Sequence, residues 1–157
     1  MSLLYLTPLG ARDLAAHGIP PQWRYGLAER VRFSEIDALD HVNHTACLRW
    51  FESLRLPYCR DYGISRYDRS SPELVLKAVE ARYHAPMFAS EDYVVTARTV
   101  SFRTSSFRME YAVFAPDLRT EGSAVVVLLQ RDGSGRFALT EQMKQAFVER
   151  DGAHFEG

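Results

Sequence analysis

The chain has 157 residues, one domain's worth, with 46% hydrophobic and 25% charged side chains. Its 19 basic and 20 acidic side chains give a formal net charge of −1, which argues against a nucleic-acid footprint or a polybasic membrane patch. The opening MSLLYLTPLG has no positive n-region and is interrupted by Pro8 and Gly10, so it does not read as a secretory signal. No stretch approaches the ~20 apolar residues that cross a bilayer, and a cytoplasmic location is the expectation.

In TPLGARDLAAHG, Thr7 can cap a short helix, Pro8 suits its first position and Gly18 can end it. Ile19-Pro20-Pro21 then forces an extended linker. Residues 1–24 are expected to form a helical extension with a Pro-rich linker, and residues 25–157 a single domain. Residues 27–33 favour a strand.

From Asn43 the pattern turns helical. Cys47, Trp50, Phe51, Leu54, Tyr58 and Tyr62 recur at three- and four-residue spacing. Asn43 is the expected N-cap, bonding the N–H of Thr45 or Ala46, and Gly63 the expected stop. Pro57 removes one helix hydrogen bond and should kink the helix or split its last turns. On one helix, Cys47 and Cys59 would stand roughly 18 Å apart, too far for a disulfide. Both are expected to be buried free thiols.

After Pro72 the period becomes two, and Val75, Val79, Ala81 and Tyr83 can share a face. EDYVVTARTVSFR, SSFRMEYAVFA and GSAVVVLLQR follow as strands. Asp132-Gly133-Ser134-Gly135 is a tight turn, after which residues 137–139 should pair back. TEQMKQAFVER closes the chain as a short helix capped by Thr140. This order predicts an α+β fold, one long helix packed on one antiparallel sheet. VVVLLQ is apolar on both faces, which favours a homo-oligomer that buries more surface.

The stretch SEIDALDHVNHTACLRWFE carries the chemistry. Acids and imidazoles crowd the start of the long helix, where unpaired N–H groups make the backbone electropositive. The run from Phe33 to Asn43, with Trp50-Phe51-Glu52-Ser53-Leu54-Arg55 behind it, resembles the acidic loop and helix of hot-dog-fold acyl-CoA thioesterases. The 4-hydroxybenzoyl-CoA thioesterase-like group is the nearest. Those enzymes carry D-x-D-x-x-G-H-V-N or close variants. Here Glu35 stands for the leading Asp and Asp40 for the common Gly. The rhythm of ARYHAPMFASEDYVVTARTVSFRTSSFRMEYAVF is similar too, so the resemblance covers about residues 30–147.

The resemblance implies a hot-dog fold, with an antiparallel sheet wrapped around the central helix. It implies hydrolysis of an acyl-CoA to a free acid and coenzyme A, in a dimer or tetramer with active sites at subunit interfaces. By position, Asp37 is the catalytic aspartate, either a general base on water or a nucleophile that forms an anhydride. If Asp40 lies close to it, one carboxyl of the pair is pushed upward. The backbone N–H of His44, with Thr45, would polarise the thioester carbonyl. The His44 side chain assists the aspartate, and His41 orients water or substrate. Asn43, Thr45, Glu52 and Ser106 are the candidate substrate contacts. Trp50, Phe51, Tyr58 and Tyr62 are candidates to line an acyl pocket.

Each of these residues also has an ordinary structural role. Asp37 can cap a turn, Asn43 a helix, and His41 can bond its own loop. Glu52, a possible alternative base, can pair with Arg55 at three-residue spacing. Arg82, Arg98, Arg103 and Arg108 are strand cations that could meet phosphates. No zinc spacing such as H-E-x-x-H, no G-x-S-x-G elbow and no phosphate-binding glycine loop occurs. Neither a metal nor a cofactor is therefore expected, coenzyme A being part of the substrate. Three alternatives stay open. One is an acyl-ACP thioesterase and another a non-catalytic acyl-CoA-binding module. A hot-dog hydratase ranks lower, because its D-x-N-P-x-H signature is missing.

Overall fold

In the computed structural model, which describes residues 3–157, the strands are β1 (Leu9–Gly10), β2 (Tyr25–Arg30), β3 (Glu73–Tyr83), β4 (Asp92–Phe102), β5 (Ser106–Phe114), β6 (Leu118–Leu129) and β7 (His154–Phe155). The helices are α1 (Ala11–Ala16), α2 (His44–Asp61) and α3 (Glu141–Asp151). Six strands form an antiparallel sheet in the order β1-β2-β4-β5-β6-β3, and β7 adds parallel to the end of β4. The expected α+β plan, one helix on one sheet, is what the chain builds.

Strand alternation decides which side chains meet α2. Tyr93, Val95, Ala97, Thr99 and Phe102 of β4 lie opposite or beside Phe107, Met109, Tyr111 and Val113 of β5, and these oppose Val126, Ala124, Gly122 and Thr120 of β6. This face packs against Cys47, Trp50, Phe51, Leu54, Tyr58 and Tyr62 of α2, so the helical stripe is the core. VVVLLQ is apolar on both faces, as expected, with Val126 and Leu128 towards the helix and Val125 and Val127 away.

The structure corrects several local expectations. Helix α1 begins at Ala11 with Gly10 as its N-cap, because Leu9 and Gly10 are drawn into a short ladder with Gly26 and Tyr25. Strand β2 ends at Arg30, and Phe33–Glu35 is a 3-10 turn. Helix α2 is continuous across Pro57, its last turns held by buried Leu54, Tyr58 and Cys59. Val75 does not share a face with Val79, Ala81 and Tyr83. A bulge between Leu76 and Ala78 shifts the register, so Val75 opposes Val127 and Val79 opposes Ala124. Residues 137–139 form no strand. After one bridge at Arg136, the Phe137 N–H donates to the Leu128 carbonyl and the Leu139 N–H to the Thr104 carbonyl.

Thr140 caps the last helix, as expected. Thr140 accepts from the Met143 N–H at 3.2 Å to start α3, and Gly152 ends it with φ +69°. The tail of α3 then enters the core. Asp151 accepts from the Tyr62 hydroxyl at 2.6 Å, the Thr99 N–H at 2.8 Å and the Tyr58 hydroxyl. Burial pushes its carboxyl above the ordinary range, against the pull of these donors.

Residues 3–24 cover the sheet face remote from α2. Leu9, Leu14, Ile19 and Trp23 bury against Ala28, Val94, Ala112 and Phe114. Leu14 sits so close to Gly26 that a Cβ there would lie 3.0 Å from its Cδ2. Beyond this patch the outer face mixes Val75, Val125 and Val127 with charged side chains. Arg98 pairs with Glu110 at 2.7 Å and lies over the Trp23 ring.

Candidate active site

The acidic loop is a small hairpin. Ile36 bridges Val42, the Asp37 N–H donates to the His41 carbonyl at 2.9 Å, and the Asp40 N–H donates to the Asp37 carbonyl at 3.1 Å. The tight reversal puts Asp40 at φ +61°. That is the left-handed region that glycine adopts freely and Asp tolerates better than most residues. The loop is pinned on both sides. Glu35 accepts from the Arg32 N–H at 2.8 Å and from the Trp50 indole at 2.6 Å, and Trp50 stacks on Tyr93. The Val42 N–H donates to the Met87 carbonyl at 2.8 Å.

Asp37 plays two parts. Its Oδ1 accepts from the Leu39 N–H at 2.9 Å, the turn-capping bond. Its Oδ2 accepts no hydrogen bond among the described residues. Half-buried Asp37 and His41, together with His44, line one cleft of about 400 Å³. Val42, Cys47, Tyr83, His84, Met87 and Thr120 complete most of its wall. Three separate pieces of chain therefore converge there: the acidic loop running into α2, the end of β3 with the residues after it, and Thr120 of β6.

The start of α2 is built by Asn43. Its Oδ1 accepts from the Thr45 N–H at 2.8 Å and the Thr45 hydroxyl at 2.7 Å, and its carbonyl accepts from the Ala46 N–H at 2.9 Å. The Thr45 N–H is thus used by the cap. The His44 N–H has no partner among the described residues and is left as the free donor of the first turn.

Four of the expected contacts lie outside this cleft. Asn43 and Thr45 serve the cap. Glu52 is exposed on α2 and makes no ion pair among the described residues, because Arg55 turns inward to the Tyr111 hydroxyl at 2.9 Å. Ser106 lies on the outer face of β5, opposite Val127, in a groove with Thr104, Ser105, Lys77, Arg103, Arg108 and Arg136. Trp50, Phe51, Tyr58 and Tyr62 are core residues and do not line the cleft. Arg82, Arg98 and Arg108 share the outer sheet face with Glu80, Glu110 and Glu121.

Tyr83 and His84 belong to the cleft although no local motif marks them. The Tyr83 hydroxyl donates to the His44 carbonyl at 2.7 Å, and His84 Nε2 lies 2.8 Å from Glu121 Oε2. Burial raises the Tyr83 phenol, and it also raises the Cys47 thiol, whose Sγ lies 3.8 Å from Thr120 Oγ1. The sequence offered only the period-two alternation that put Tyr83 on one face with Val79 and Ala81, and the register of β3 on β6 turns that face to the helix. No group of three or more His, Cys, Asp or Glu is placed to hold a metal ion among the described residues.

Residues 31–149 match the model of the thioesterase-like superfamily. The chain belongs to that superfamily. Among solved structures, the thioesterase superfamily protein from Jannaschia sp. CCS1 is 52% identical, covering 96% of this chain and 97% of its own, with TM-score 0.93. A thioesterase from Thermus thermophilus, solved with coenzyme A and Zn, is 28% identical, covering 81% and 93%, with TM-score 0.70. A 1,4-dihydroxy-2-naphthoyl-CoA thioesterase from Synechocystis shares the fold at 14% identity, covering 80% and 96%, with TM-score 0.70. Hot-dog thioesterases are therefore the structural neighbours of this superfamily member, in line with the resemblance carried by its acidic loop.

Proposed function

We propose that this protein is an acyl-CoA thioester hydrolase that works in the cleft at the start of α2. The observation that carries the reading is one shared cleft holding Asp37, His41 and His44, in a chain of the thioesterase-like superfamily. The thioester oxygen takes the free His44 N–H, where the helix start favours developing negative charge. Asp37 uses its unengaged Oδ2, since Oδ1 is held by the Leu39 N–H. As base, Oδ2 accepts the proton of a water whose oxygen attacks the carbonyl carbon. The tetrahedral intermediate collapses, the C–S bond breaks, and the thiolate of coenzyme A leaves with its electron pair. As nucleophile, the same oxygen attacks the carbon directly, the C–S bond breaks as the thiolate leaves with its electron pair, and water then cleaves the resulting anhydride to the free acid and the Asp37 carboxylate. His41, whose ring meets Phe88 edge-on at 5.3 Å, orients water or the acyl group, and the His44 imidazole supports Asp37. Coenzyme A bound to the Thermus thermophilus relative supports a CoA carrier over a protein carrier.

The same reading makes the protein a homodimer or homotetramer with sites at subunit boundaries. β3 ends the sheet, and Leu76, Val79 and Tyr83 on its helix-facing side are 44–49% exposed because α2 does not cover them. A second copy is the natural cover.

The test is thiol release from short, long and aromatic acyl-CoAs by the native protein and Asp37→Asn. Turnover of at least one thioester is expected, reduced about 100-fold or more in the variant, with folding and oligomer size unchanged. Equal turnover in the variant would remove Asp37 from the chemistry. Tight acyl-CoA binding without turnover would replace the hydrolase by a binding module.

A further inference from the structure

The geometry points to Tyr83 as the positioning residue that, with Asn43, locks the first peptide of α2 so that the His44 N–H alone faces the substrate. This rests on the hydrolase reading and adds to it a residue from a different part of the chain. The peptide between His44 and Thr45 is held at both ends. Its carbonyl accepts from the Tyr83 hydroxyl at 2.7 Å, and its N–H donates to Asn43 Oδ1 at 2.8 Å. One holder is local and the other lies 39 residues away on an edge strand.

A clamped peptide cannot rock about its flanking bonds, so its neighbour is fixed too. That neighbour is the peptide between Asn43 and His44, whose carbonyl is tied to the Ala46 N–H at 2.9 Å. Its N–H, on His44, is the one donor of the turn left without a partner among the described residues. A donor helps a transition state only if it already points where charge will develop. Without Tyr83, the first turn of a helix is where fraying begins. The residue that prevents this also lines the cleft, beside Asp37, His41 and His44. A phenol is protonated at neutral pH, and burial raises this one further, so the Tyr83 hydroxyl is a donor there. The bulge between Leu76 and Ala78 gives β3 its reach, because it sets the register that turns Tyr83 to the helix side opposite Thr120.

The experiment is Tyr83→Phe in the full chain, which removes one hydroxyl and keeps the ring. With the thioester that the native protein turns over fastest, kcat is expected to fall about tenfold while KM stays within about twofold. Amide hydrogen exchange, followed at Thr45, is expected to speed up about tenfold once the Tyr83 hydroxyl no longer holds the His44 carbonyl. Unchanged kcat would overturn the assignment. A raised KM with native kcat would also overturn it, by making Tyr83 a substrate contact. If the native protein hydrolyses no thioester, the hydrolase reading fails by itself, and the Thr45 exchange rate still decides the clamp. An unchanged rate there refutes it.

Discussion

Of the described glycines, Gly122 leaves the least room for a side chain, and Gly122→Ala tests the packing of α2 on the sheet. A Cβ at Gly122 would lie 2.5 Å from Phe51 Cε2, 2.9 Å from Phe51 Cζ and 2.9 Å from the Glu80 carbonyl oxygen. Carbon atoms rest about 3.5–4.0 Å apart, so the ring would have to retreat by about 1 Å. It has nowhere to go. Phe51 is 1% exposed and stacks on Tyr111 with centroids 4.6 Å apart. The Glu80 oxygen belongs to the backbone of the paired strand. Overpacking of this kind costs about 1–3 kcal/mol. Removing a strand glycine returns about 0.5–1 kcal/mol through the unfolded chain. The net expectation is a loss of about 1–2 kcal/mol. Urea unfolding at fixed protein concentration should show the midpoint falling by about 0.5–1 M, given an m-value of about 2 kcal/mol/M. Phe51→Leu should relieve the clash, so the double variant should be more stable than the two single losses predict. A midpoint in Gly122→Ala equal to or above the native one would refute the packing account.

Two further outcomes follow from the ends of the chain. Burial raises the Asp151 carboxyl in the folded state, so its contribution to stability is complete below the ordinary value near ~4 and is lost as pH rises through the folded value. Urea midpoints taken across that acid range should therefore fall with rising pH more steeply in the native protein than in Asp151→Asn, and equal slopes would remove Asp151 as the cause. Leu14 of α1 is fully buried on the outer sheet face, so Leu14→Ala should cost about 2–4 kcal/mol in the same assay. A loss below about 0.5 kcal/mol would mean that residues 3–24 contribute little to the fold.

Much of this molecule is written in local pattern. The six-residue apolar stripe of α2, the caps at Asn43 and Thr140, and the turn at residues 132–135 involve partners within four positions. Neighbours that close are brought together by helix and turn geometry alone. The acidic loop was legible for the same reason: Asp37, His41 and His44 lie on one hairpin and the helix that follows it, and they do share a cleft. The Asp40 substitution for glycine could be seen in the sequence, and its left-handed backbone appears in the structure.

What tertiary structure alone decided depends on register and distance. One extra residue near Lys77 sends Val75 to the opposite face from Val79, because strand side chains alternate with period two. That register brings Tyr83 to the His44 carbonyl and His84 to Glu121, across 39 and 37 positions of chain. Glu52 and Ser106 looked suitable by residue type and were left outside the cleft by the direction of their faces. The Thr45 N–H went to the cap instead of the substrate. A sequence names the side chains capable of chemistry through their local spacing. Which of them meet is fixed by how strands slide past one another, and that is settled only when the whole core packs.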